Sequence, residues 1–390
     1  MSAIRNVAVL GATGSVGKHT LDAVSDDPDR LRASVLVAHS NVEALVALCI
    51  RHRPDLAIIA DTQLETDLAR RLAAAGVRCD VASGHEAICY AAGSSLCDVV
   101  VCAMTGLASL DAALTAARAG KRLVLANNEP AVIAGSLLRN AAAESGGEVI
   151  PLSTAAHAIA QYVSNTHADL NHADVRRLIL TSFGGPFAGR TRADLMTVTP
   201  DDLGATPGKL SDRQRAVDSA TLMNTGLEAL AIHHLFLATP QIQVRLTTRS
   251  IAPAILERAD GSIQALGRWL DARSAIDSAL HGAELPNRHP IGERETLSAL
   301  AAPDPGAFRC LTLALAALRE GGDAPALLNA ANEVAVAAFL AGSLPFLSIA
   351  DLIEQVLTEL PPQPVVDIQT LRERDRAARA AARRVLRTAC

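Results

Sequence analysis

The chain has 390 residues, a length that divides into two or three domains rather than a single core. Hydrophobic residues make up 49% of it and charged residues 20%, with a mean hydropathy of +0.22, a net charge of -5 and a pI near 6.1; this balance excludes a nucleic-acid surface or a membrane-attracted one and points to a small-molecule partner. No leader pattern precedes the first strand and no apolar run reaches the roughly 18 residues of a membrane span, so a cytoplasmic protein is expected, and seven cysteines without a Cys-x-x-Cys pair indicate reduced thiols and neither a disulfide framework nor a zinc site.

From 1 to about 150, short apolar runs alternate with alanine-rich amphipathic stretches. Strands are expected near 5–10, 33–38, 56–60, 98–103, 122–126 and 147–151, and helices near 15–25, 41–50, 64–75, 108–119 and 131–144. That alternation specifies a Rossmann-like parallel sheet with helices on both faces. The first strand, Val7-Ala8-Val9-Leu10, breaks into Gly11-Ala12-Thr13-Gly14-Ser15-Val16-Gly17 at the mouth of a helix. Such a turn offers a dinucleotide pyrophosphate free N–H groups and a positive helix end, with Gly11 making the turn, Gly14 admitting the phosphates and Gly17 packing helix on strand. The spacing is GxxGxxG rather than GxGxxG, and the competing reading is a structural glycine turn. At the end of the second strand, Ala38-His39-Ser40-Asn41 holds no carboxylate to select NAD, and His39 partly replaces a cation for the 2′-phosphate, so NADP is favoured with NAD possible, His39 and Asn41 being the candidate contacts.

A change of pattern near 150 opens a central α+β domain, 151–285, with strand candidates at 178–181 and 242–248 around a Gly184-Gly185-Pro186 turn. A connector follows at 286–307, and helical periodicity at 308–319, 325–340, 348–360 and 368–388 predicts a C-terminal helical domain, 308–390. The arginines from Arg372 to Arg387 read as a solvated face, with a binding arm as the alternative.

In these blocks the chain resembles the 1-deoxy-D-xylulose 5-phosphate reductoisomerases. The resemblance rests on the Gly11 to Gly17 turn, Leu125-Ala126-Asn127-Asn128-Glu129, Gly184-Gly185-Pro186-Phe187, the run from Asp218 to Glu228, Asp260-Gly261-Ser262 and the run from Leu328 to Val336. It implies a cofactor domain, a central catalytic domain and a helical domain in a homodimer, using NADPH and a divalent metal. It also places Asn127 and Glu129 with Gly11, Thr13, Gly14, Ser15, Val16, Gly17, His39 and Asn41 in the cofactor site.

Against the family pattern, the positions nearest the chemistry are altered. The family holds its metal with an Asp and a Glu in an Asp-Ser-Glu-His run and a Glu after Asn-Lys-Gly; here Ser153, Thr154 and Ala155 occupy the first run, and only Glu228 remains. One carboxylate and a hydroxyl hold a hard divalent ion poorly, so no metal site is assigned. His157 offers a nitrogen to another metal or is a packed residue. Phe183 stands for a phosphate-binding serine, Thr225 and Asn128 for lysines, Lys209 for the lid tryptophan, and Ala272 for a methionine of the cofactor floor. Lys209, Arg213 and Arg215 supply new anion contacts or are simply exposed. The remaining candidates are Glu228, Asn128 and Ser153 for catalysis, and Thr154, Ser219, Asn224 and Lys209 for substrate. Three functions follow: an NAD(P)-dependent oxidoreductase with a changed substrate and no family metal, a catalytically silent paralogue that binds nucleotide or a protein partner, and an authentic reductoisomerase of the methylerythritol phosphate pathway.

Overall fold

The computed structural model describes residues 4–104, 106–166, 170, 174–204, 210–236, 241–281 and 300–389. The chain forms two compact units, one of Met1–Pro130, Gly135–Ala160 and Leu270–Leu285, the other of Ala131–Ala134, Gln161–Trp269 and Pro286–Cys390.

In the first unit, β1 (Arg5–Leu10), β2 (Leu31–Ala38), β3 (Leu56–Ile59), β4 (Asp80–Ser83), β5 (Val99–Cys102), β6 (Arg122–Leu125) and β7 (Glu148–Pro151) make one parallel sheet in the order β4-β3-β2-β1-β5-β6-β7. The helices are α1 (Ser15–Asp26), α2 (Val42–His52), α3 (Glu65–Ala74), α4 (Gly84–Gly93), α5 (Leu107–Arg118), α6 (Glu129–Ser145) and, after β7, α7 (Thr154–Thr166). Val7 to Leu10 and Val99 to Cys102 are buried throughout, as a parallel strand covered by helices on both faces must be. The expected α/β class and its strands are present. The segment 80–93, to which the sequence assigns no element, contains β4 and α4. β4 is a four-residue edge strand, mostly half-buried, whose polar ends hide the apolar pattern.

The second unit contains β8 (Val175–Ser182), α8 (Leu210–Ala220), α9 (Met223–Phe236), β9 (Gln241–Leu246), β10 (Ala254–Arg258) and β11 (Ile263–Leu266), its strands ordered β11-β10-β8-β9. The β10–β11 hairpin turns at Asp260-Gly261-Ser262, where Asp260 accepts from the Ser262 N–H at 2.8 Å. The chain returns to the first unit as α10 (Ala272–His281), and then contributes α11 (Arg309–Glu320), α12 (Ala324–Leu340), α13 (Ser348–Glu359) and α14 (Ile368–Ala389) to the second. Most of the connector expected at 286–307 lies outside the described residues. Helix α12 is buried along most of its length, and Asn332 within it donates to Asp218 of α8 at 2.8 Å. On α14, Arg374 pairs with Asp323, Arg379 with Asp375 and Glu333, and Arg384 with Glu359, so these arginines bind the helix to its neighbours and do not form a free arm. Among the described residues no helix is long and apolar enough to cross a membrane.

His157 lies inside α7, 2% exposed, with its Nδ1 3.0 Å from the Pro151 carbonyl. It is a packed residue. Burial pulls its pKa below the ordinary 6.5, against a smaller opposing effect of the Pro151 carbonyl. The unfolded chain therefore binds this proton first on acidification, so the stability His157 contributes is present above about pH 6.5 and is lost as the pH falls below it. Urea midpoints measured at pH 7.5 and pH 5.5 (~7.5 and ~5.5 bracketing that unfolded value) should differ less in His157→Gln than in the unsubstituted chain. An equal difference in both would contradict this assignment.

Candidate functional site

Because the strands of the first unit are parallel, their carboxyl ends share one edge of the sheet. The chain order reverses around β1, which lies between β2 and β5, and the crevice at such a reversal is where open parallel sheets receive ligands. The Gly11 to Gly17 turn leaves β1 at that point. His39 and Asn41 follow β2, Asn127 to Glu129 follow β6, and Ser153 and Thr154 follow β7, so the fold gathers these candidates along the same edge.

The three glycines differ in what requires them. Gly11 has φ +95°, and a Cβ there would stand 2.6 Å from the Ala103 carbonyl oxygen. A Cβ on Gly17 would stand 2.4 Å from the Gly11 oxygen and 2.7 Å from the Ala12 Cα, so α1 rests backbone against backbone on the turn. Gly14 caps α1 in an extended conformation without a side-chain bond, and its Cβ would meet only the Gly11 oxygen, at 3.3 Å. Its absent side chain keeps the approach to the helix end open. The first N–H groups of α1 have no acceptor within the helix and face the place where an anion would sit. Ser15 is exposed, and Thr13 and Val16 are half-buried beside it.

Asn127 donates to the Met104 carbonyl at 2.8 Å and accepts from the Glu129 N–H at 3.1 Å, while Glu129 accepts from the Gly106 N–H at 2.8 Å. These two residues thus brace the loop after β5 against the start of α6. Asn128 between them is half-buried at the N-cap of α6 and makes no capping bond. Asn41 caps α2, accepting from the Ala44 N–H at 3.0 Å, and His39 is exposed next to it.

In the second unit, the Gly184-Gly185-Pro186 turn packs on α8: Gly185 has φ +64°, and a Cβ there would reach 2.2 Å from the Ser219 carbonyl oxygen. Ser219 is half-buried. Thr225 donates to Ser182 at 3.4 Å, and Asn224 accepts from the Thr225 N–H at 2.8 Å. Glu228 lies half-buried in the second turn of α9. Lys209 lies outside the described residues; Arg213 and Arg215 are exposed, with Arg215 paired to Asp212.

Two features escape sequence reasoning. Leu222, at the joint of α8 and α9, is buried with φ +58°, a left-handed conformation that costs a leucine roughly 1–3 kcal/mol and sets the direction in which α9 leaves. Phe183, 46% exposed, packs tilted against Trp269 with ring centroids 4.7 Å apart, and the indole nitrogen is buried with no partner among the described residues. An aromatic pair thus borders the Gly184 turn. Distant positions in the chain gave no signal of it.

The residues fit a dinucleotide: a glycine cradle that a Cβ would fill, a helix end, and no competing acidic group from 38 to 41. They do not fit a hard divalent cation. The Ser153 hydroxyl is buried with no hydrogen-bond partner among the described residues, neutral where a charged ligand is needed, and Ala155 presents a buried methyl group. Magnesium and manganese need carboxylate oxygens to replace lost hydration.

Three family models match successive parts of the chain: 1-deoxy-D-xylulose 5-phosphate reductoisomerase over 7–135, its C-terminal domain over 149–236, and the DXP reductoisomerase C-terminal domain over 269–381. The 1-deoxy-D-xylulose 5-phosphate reductoisomerase of Xanthomonas campestris pv. campestris (strain B100) is 46% identical, over 99% of this chain and 98% of its own. The Zymomonas mobilis enzyme, solved in complex with NADPH, is 35% identical with a TM-score of 0.85 and 99% coverage of both chains. A DOX-P reductoisomerase solved in complex with magnesium is 30% identical with a TM-score of 0.84, again over 99% of both chains. A turn built for a dinucleotide, a matching order of domains and full-length likeness agree: the chain belongs to the 1-deoxy-D-xylulose 5-phosphate reductoisomerase family.

Proposed function

We propose that this chain is an NADPH-dependent oxidoreductase that reduces a small carbonyl compound without the metal seen in its relatives. The observation that carries the first part is the backbone-on-backbone turn from Gly11 to Gly17 at the reversal point of the sheet. Gly11, Thr13, Gly14, Ser15, Val16 and Gly17 would hold the pyrophosphate, His39 and Asn41 the ribose end, and the loop braced by Asn127 and Glu129 the remainder. NADPH supplies a hydride when bound. On the first unit, Asn128, Ser153 and Thr154 are neutral donors suited to hold a carbonyl oxygen by hydrogen bonds; on the second, Asn224 is a further neutral donor and Glu228 is suited to hold or release a proton. Ser219 and Lys209 complete the substrate contacts in this reading. The homodimer, the cytoplasmic location and the division at 150, 285 and 307 belong to the same proposal.

The full-length likeness favours a second reading, the relatives' own reaction on 1-deoxy-D-xylulose 5-phosphate. Of the readings weighed it is the one the comparisons support best, and it makes that sugar phosphate the first substrate to test. The residues at Ser153, Ala155 and Thr225 support the metal-free alternative.

In Gly14→Ala the new Cβ stands 3.3 Å from the Gly11 oxygen, a tight contact that requires the turn beside the helix end to shift by a few tenths of an ångström. Calorimetric titration should show NADPH binding weakened about tenfold, roughly 1.4 kcal/mol, in protein that circular dichroism shows to be folded. Equal affinity in the two proteins would remove the nucleotide from this turn.

Turnover is tested by following NADPH oxidation with 1-deoxy-D-xylulose 5-phosphate and with a panel of ketones, with manganese and with chelator. The metal-free reading expects oxidation that chelator does not abolish, and expects Ser153→Asp with Ala155→Glu and Thr225→Lys to acquire manganese dependence. Strict manganese dependence in the unsubstituted chain with the sugar phosphate would establish the relatives' reaction instead. NADPH binding without oxidation of any substrate would establish the silent paralogue.

A further inference from the structure

On the first unit, α4 and α5 pack side by side, and three side chains of different chemistry converge between them. His85 and Cys89 lie four residues apart on one face of α4, and Asp111 faces them from the second turn of α5. The His85 Nε2 is 2.7 Å from Asp111 Oδ2 and 3.6 Å from Cys89 Sγ, and all three ligand atoms lie within 4.8 Å of one another. We propose that His85, Cys89 and Asp111 form a binding site for a thiophilic divalent cation of the zinc class.

The argument rests on which atom points where. A histidine in a plain surface ion pair directs one nitrogen at its carboxylate, whereas here the same Nε2 faces both the carboxylate and the sulfur. Tetrahedral zinc places a nitrogen and a thiolate sulfur about 3.5 Å apart, given bonds of about 2.0 and 2.3 Å. The observed 3.6 Å matches that spacing without rearrangement. The nitrogen-to-carboxylate distance, now a hydrogen bond, would open by about half an ångström to admit the ion. Asp111 is 17% exposed and held on a packed helix, while His85 is 47% exposed, leaving a fourth position open to water. Binding replaces the Cys89 S–H proton, which passes to solvent, with a metal–sulfur bond; the imidazole binds neutral and the carboxylate ionised. Nitrogen, sulfur and oxygen together select zinc, cobalt or cadmium over magnesium and manganese, so this site is chemically distinct from any hard-cation position of the family. The spacing His-x-x-x-Cys on one helix, with its third ligand from another, explains why a search for Cys-x-x-Cys does not find it.

The test is a cobalt(II) titration of the reduced, metal-free full chain. The expected result is a near-ultraviolet thiolate-to-cobalt absorption band that saturates at one ion per chain, disappears on adding zinc, persists in excess manganese, is lost in Cys89→Ser and requires about tenfold more cobalt in Asp111→Asn. In the unsubstituted chain, zinc should slow alkylation of Cys89, followed by peptide mass mapping, at least tenfold. The absence of a thiolate band, a band that persists in Cys89→Ser, or alkylation unaffected by zinc would each overturn the proposal.

Discussion

The contact of α1 with the turn at Gly11 and Ala12 is the constraint on which the first unit depends. The helix can start at the carboxyl end of β1 only because Gly17 brings no side chain to a position 2.4 Å from a backbone oxygen. That approach fixes where the helix end points, and with it where an anion can be received. The neighbouring candidates follow from the sheet rather than from their own interactions: parallel strands deliver His39, Asn128 and Ser153 to one edge whatever their side chains are. The scaffold therefore sets where these groups stand independently of their chemistry.

The first unit presents the neutral Asn128, Ser153 and Ala155 at the edge of its sheet, and the second unit the neutral Thr225. Thr225 and Ser182 are bonded to each other, and the Phe183–Trp269 pair adds apolar surface beside the Gly184 turn. The Ser153 hydroxyl and the Trp269 indole nitrogen are buried polar atoms with no partner among the described residues, each at a cost of about 1–3 kcal/mol.

The strongly patterned parts of the fold were legible in the sequence. β1, β5 and β6 are apolar runs ended by turn residues, and the four C-terminal helices carry clear periodicity. β4 was not legible because Asp80 to Ser83 forms a half-buried edge. The β10–β11 hairpin was not assigned although its Asp260-Gly261-Ser262 turn stood out, because Ile263-Gln264-Ala265-Leu266 is too short to declare a period. For the site, residue types could be read but not their environments. The isolation of the Ser153 hydroxyl, the joining of Asp218 to Asn332 and the strained Leu222 depend on chain segments that meet only on folding. The packing of His157 settles an alternative that its sequence neighbours left open.

The proposed metal-free reading turns on Ser153 and Ala155, after β7, lacking the charge to retain a hard divalent ion. Manganese binding followed by electron paramagnetic resonance, on NADPH-loaded Cys89→Ser protein, tests it most directly. The account predicts that the signal of free manganese persists at millimolar ion and falls only after Ser153→Asp and Ala155→Glu are added. Stoichiometric loss of the free signal at micromolar manganese without those two substitutions would contradict it.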